Sequence, residues 1–190
     1  EIYIRKAVIE DFAAVRNIIQ QVHDMHVNWR PDIHRRNDDL FTTEYFEKFL
    51  AEDAFYVAVT DGRVVGVLSL VFRHIESPAH VTRDVVFIDT MAVDEGYRGR
   101  GIGHLFFETV KEIKQAEDDG IELQVNAKNR AAYEMYRHYG FTDKSINMEL
   151  LEEKLTDNGL YIQPPVLPLK RLSHELFYRS QHSIVIIGLC

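Results

Sequence analysis

A chain of 190 residues, 46% of them hydrophobic, can bury one substantial core, and a formal charge of −8 argues against a nucleic-acid surface while suiting a cationic partner. The single cysteine, Cys190, excludes a disulfide framework and a cysteine zinc site. The early apolar runs are too short and too charged for a signal peptide or a membrane span, so a cytoplasmic protein with no membrane partner is the expectation.

In chain order, residues 2–6 alternate as a first strand, and Phe12, Val15, Ile18, Ile19 and Val22 recur at helical spacing. Residues 43–51 predict a second helix with Thr42 as its N-cap. Residues 54–60 and 63–72 flank Asp61-Gly62, the pair that a two-residue hairpin favours because both positions need positive φ. Ser77-Pro78 marks a loop, and residues 85–93 form the central strand. Residues 101–117 predict a helix, 121–127 a strand, 130–139 a helix and 141–150 a final strand. Strands and helices interleave as in an α/β or layered α+β fold. We expect a domain over residues 1–151 and an extension over 152–190, where Gln163-Pro-Pro165 breaks helix and the apolar run 183–189 can add a strand. That run has three possible places: against the core, exchanged with a second subunit in a homodimer, or in a disordered tail.

The strand that ends at Val93 runs into Arg98-Gly99-Arg100-Gly101-Ile102-Gly103, which opens a helix. Glycines allow close backbone approach to a ligand, and the unpaired first N–H groups of a helix favour an anion, so a phosphate or pyrophosphate is the natural occupant. No Gly-Lys pair exists, which removes a P-loop. A dinucleotide fingerprint that starts at Gly99 and Gly101 meets His104 where its third glycine belongs, which argues against it.

These six residues resemble the R/Q-x-x-G-x-G/A acetyl-CoA signature of the GCN5-related N-acetyltransferase (GNAT) family. Downstream, Asn129-Arg-Ala-Ala132-Tyr-Glu-Met-Tyr136-Arg-His-Tyr-Gly140-Phe141 matches that family's N-x-x-A-x-x-x-Y-x-x-x-G-F pattern. The resemblance covers roughly residues 2–151. It implies a single domain with a mixed, splayed central sheet flanked by helices. It also implies direct transfer of acetyl from acetyl-CoA, through a tetrahedral intermediate and without a metal, to a primary amine of a small molecule or peptide. The cofactor residues it implies are Arg98 to Gly103 (Arg98, Gly99, Arg100, Gly101, Ile102, Gly103) for the pyrophosphate, with the backbone of Met91, Ala92 and Val93 for the pantetheine arm. An N–H near Ala92 would face the thioester oxygen. Asn129 and Ala132 lie in the second motif, Asn129 bonding the arm or simply capping its helix. Tyr136 sits where the family protonates the departing thiolate; packing is its competing role.

For the general base, Asp89 stands out as an acid inside an apolar strand, with a structural hydrogen bond as the alternative. Some relatives place a glutamate where this chain has Gln124, so a water-mediated route is equally open. In the family, acceptor recognition usually comes from the first two helices and their connection, where His26 and Trp29 are the candidates, with packing the alternative for Trp29; Asp89 on the central strand is the third candidate. His23 and His26 share a helical face but lack a third metal ligand. A catalytically silent acyl-CoA sensor is the competing function; it would need neither Tyr136 nor Asp89.

Overall fold

Asp61 and Gly62 adopt φ of 49° and 73°, and the chain reverses there as their residue types require. The computed structural model describes residues 1–151 and 186–187. Its strands are β1 (Tyr3–Lys6), β2 (Phe55–Thr60), β3 (Arg63–Ser77), β4 (His80–Val93), β5 (Gly120–Leu123) and β6 (Ile186–Ile187). Its helices are α1 (Phe12–Trp29), α2 (Thr43–Ala51), α3 (Ile102–Ile113) and α4 (Arg130–Tyr139). Sheet order is β1-β2-β3-β4-β5, antiparallel up to β4 and parallel between β4 and β5. β6 pairs with β4 in parallel, Thr90 opposite Ile186 and Met91 opposite Ile187. The mixed sheet flanked by helices is the expected fold class.

The apolar stripe of α1 buries Val15, Ile18, Ile19 and Val22 against Phe41, Phe46, Phe55, Val57, Val67 and Ala92. Phe46 meets Phe55 edge-on, ring centroids 4.9 Å apart. On the other sheet face α3 comes so close that a Cβ on Gly66 would lie 3.1 Å from Ile102 and Phe106. Both predicted caps form: Thr42 Oγ1 accepts from Tyr45 N at 3.2 Å, and Asn129 Oδ1 accepts from Ala132 N at 3.2 Å.

Five predicted bounds need correction, the first being β4, which starts at His80 rather than at Val85. β3 runs five residues past Phe72, because His74 and Asp84 pair across the strands (Nδ1 to Oδ1 2.7 Å) and let a solvated ribbon carry charge. α3 stops at Ile113, where Asp118 Oδ2 accepts from Gln115 N in a turn that precludes the predicted helical run to 117. β5 ends at Leu123 rather than 127, having paired only with Val85 to Ile88. Residues 141–150 form no strand; Ile146, Met148 and Leu150 alternate as the pattern suggested but are 77%, 91% and 99% exposed. Alternation supplies an apolar face, whereas a strand also needs a neighbour for its backbone groups.

Among the described residues, 1–140 with 186–187 belong to one compact unit and 141–151 to another.

Candidate active site

β4 carries a bulge at its centre. Leu70 pairs with Ile88 but Ser69 pairs with Thr90, so Asp89 is one residue extra. The bulge brings Asp89 to the face that holds Ser69, whose hydroxyl donates to Asp89 Oδ2 at a long 3.5 Å. Asp89 is 2% exposed, and burial pushes its carboxyl up to about 6 against the opposing pull of Ser69, Arg73 and Thr90. Above it, burial and then the Asp89 charge push the Tyr45 phenol up to about 12. Ile19, Phe41, Tyr45 and Phe55 line a narrow crevice that reaches Ser69 and Thr90.

Beyond Ile88 the two parallel strands part, which leaves the outer edge of β4 without β5. Met91, Ala92 and Val93 are fully buried, backbone and side chain alike, so a ligand on this edge would have to displace what covers it. Asp94 N–H donates to the Val65 carbonyl at 2.9 Å, and hydrogen-bonded positions recur every second residue of an antiparallel ladder. The amide of Ala92 therefore turns toward β3, while those of Met91 and Val93 turn to the edge that β5 has left. The N–H expected near Ala92 would thus belong to a neighbour, Met91 or Val93, rather than to Ala92 itself. Part of that edge, at Thr90 and Met91, is paired with β6.

After Val93 the glycine loop leads into α3. Gly99 and Gly101 adopt φ of 74° and 81°, with nothing within 4 Å of where a Cβ would stand. The loop is braced from α1, where Gln21 donates to Asp94 Oδ2 at 2.9 Å and accepts from Glu95 N at 3.0 Å. Two arginines brace it as well: Arg98 Nε donates to the Val93 carbonyl at 3.2 Å, and Arg100 donates to the Gly96 carbonyl at 3.1 Å and lies over Tyr97. They shape the loop in addition to any charge they add. A cleft of about 460 Å³ opens between the α3 N-terminus, with Gly99, Gly101, Ile102, Gly103 and His104, and α4, with Met135, His138 and Tyr139.

Behind that cleft Tyr136 and Ala132 are buried, and Tyr136 meets Phe107 edge-on at 5.7 Å. Asn129 is 1% exposed and caps α4, so its local role is satisfied without a ligand. Tyr139 stacks on Phe107 at 4.3 Å and its hydroxyl donates to Glu108. Phe107, Met135, His138 and Tyr139 went unremarked as site residues because their meeting depends on how α3 packs on α4.

His26 and Trp29 line neither of these two clefts. Their rings meet at a tilt, centroids 5.4 Å apart, and His34 stacks on His26 at 5.3 Å. Burial, then His34 and His23, hold the His26 imidazole down at about 4. Among the described residues no group of three His, Cys, Asp or Glu side chains could hold a metal, and no helix is long and apolar enough to cross a membrane.

Comparison with known proteins places this arrangement. Residues 19–141 match the family model "Acetyltransferase (GNAT) family", and the chain belongs to that family. An uncharacterized N-acetyltransferase, MJ1207 of Methanocaldococcus jannaschii, is 34% identical over 98 residues, which are 50% of this chain and 42% of that protein. The aligned segment thus spans less than half of that curated relative. A crystal structure of a mutant BH1408 protein from Bacillus halodurans superposes with a TM-score of 0.73 at 31% identity, covering 79% of this chain and 99% of that one. The fold is also that of AAC(6')-Iy in complex with a bisubstrate CoA analog, with a TM-score of 0.60 at 16% identity over 81% of this chain and 99% of that one.

Proposed function

We propose that the protein is an acetyl-CoA-dependent N-acetyltransferase that passes the acetyl group directly to a primary amine of a small molecule or peptide. The observation that carries this reading is the continuity of one strand with one helix terminus. β4 presents a buried acid at its bulge, then an edge left by β5, and then a glycine loop over open space.

The loop Arg98 to Gly103 would hold the pyrophosphate through the first N–H groups of α3, with the helix dipole adding to the attraction. Side chains at Gly99 or Gly101 would stand in the space that phosphate needs. The edge-facing amides of Met91 and Val93 would pair with the pantetheine arm and donate toward the thioester oxygen as negative charge develops on it. Asp89, with a carboxyl that titrates about 6, is ionised at neutral pH and basic enough to take the ammonium proton, directly or through a water. Tyr136 would return a proton to the departing thiolate, since a phenol near ~10 matches a thiol near ~8.5.

Tyr136→Phe tests the last step. On this reading kcat falls about 100-fold while the affinity for acetyl-CoA holds; an unchanged kcat would remove Tyr136 from the chemistry and favour the sensor.

A further inference from the structure

The sheet face that carries Asp89 also carries an arginine that the mechanism above leaves unused. Ser69, Val71 and Arg73 alternate onto one side of β3, and Val71 pairs with Phe87 on β4. The guanidinium of Arg73 lies 3.5 Å over the Phe87 ring centroid, so it is seated two residues before Asp89 along β4. That puts the two charges on the order of 7 Å apart along the strand.

Arg73 is half-buried, and among the described residues it forms no ion pair within 4 Å; its Nε is fully enclosed without a hydrogen-bond partner. Asp89 and Glu122 act on it only at longer range. Glu122, which pairs with Phe87 across β5, is already held by Arg83 at 2.5 Å. A half-buried guanidinium seated on a ring and without an ion pair among the described residues suits a planar anion, above all a carboxylate that can accept two N–H bonds at once.

The geometry points to an acceptor that carries both charges: its amine at Asp89 and a carboxylate at Arg73, as in a free amino acid or a short peptide. This deepens the transferase reading and rests on it. Such an acceptor is zwitterionic, so the −8 charge of the chain does not repel it as it would a simple anion. Polyamines and aminoglycosides, which have no carboxylate, leave Arg73 without its partner.

The test is acetyl transfer to matched acceptors, each amino acid or dipeptide beside its carboxamide, with wild type, Arg73→Met and Arg73→Lys. In wild type the carboxylate form should show a KM lower by about tenfold or more. Arg73→Met should abolish that preference by raising KM for the carboxylate alone, with kcat nearly unchanged; Arg73→Lys should restore part of it. Equal use of carboxylates and carboxamides by wild type would overturn the inference and leave the transferase standing. An equal loss on both acceptors in Arg73→Met, compared at alkaline pH where Asp89 stays ionised without the arginine's pull, would also overturn it and make Arg73 a positioning residue for Asp89. Silence toward every acceptor in wild type would overturn the transferase reading and this inference together.

Discussion

Asp89 and His26 are both buried titratable groups, yet burial moves them in opposite directions and with opposite consequences for stability. Asp89 titrates about 6 in the folded chain against ~3.9 when unfolded, so the native state holds the extra proton between those values. Stability therefore falls as pH rises through that window, by on the order of 1–3 kcal/mol. Asp89→Asn should raise the Tm at pH 8 and leave it nearly unchanged at pH 3.5, while lowering kcat; a lower Tm at pH 8 would mean the carboxylate is structurally required. In wild type, kcat should climb as pH passes about 6, and that limb should be absent from the residual rate of the variant. His26 runs the other way: held at about 4 when folded and ~6.5 when unfolded, it gives stability that is complete above ~6.5 and lost as pH falls toward 4. His26→Leu should flatten that acid limb in pH-dependent denaturation; an unaltered limb would assign it to other groups.

At the scale of elements, local signals were legible and pairings were not. α2 and α4 begin where predicted because Thr42 and Asn129 cap within three residues of themselves. The glycine loop was legible for the same reason, its φ angles being a property of residue type. Register is different. Asp89 looked odd in its strand, but only the pairing with β3 reveals a bulge that turns it to Ser69, and only the ladder's alternation assigns the edge that β5 has left to Met91 and Val93 rather than Ala92. Arg73 was invisible as a site residue because its meaning comes from Phe87, fourteen positions on. Two predictions belong here. Gly101→Glu should abolish CoA binding in calorimetry, through a strained backbone, bulk in the cleft and repulsion of phosphate; retained affinity would move the phosphate elsewhere. β6 and a pantetheine arm would claim the same edge at Thr90 and Met91. Ile187→Pro, which removes a ladder donor, should therefore tighten acetyl-CoA binding by about fivefold, the worth of ~1 kcal/mol, and hydrogen exchange at Met91 should speed up in the apo variant. Unchanged affinity would show that β6 does not compete.

For the whole molecule, the sheet divides the labour. One face is closed by α1 and α2 over an aromatic core that leads to the bulge, the other by α3 against Gly66, and β4 parts from β5 beyond Ile88, at the edge where β6 pairs with Thr90 and Met91. A donor on the glycine loop and an amine above Asp89 would meet there without a covalent enzyme intermediate. That is the central claim, and release of CoA thiol from acetyl-CoA across a panel of amino acids, short peptides, polyamines and aminoglycosides tests it most directly. The account predicts release that depends on one acceptor class, with a mass gain of one acetyl group on that acceptor and none on the protein. Release that proceeds equally without an amine, or acetyl retained on the protein, would contradict it.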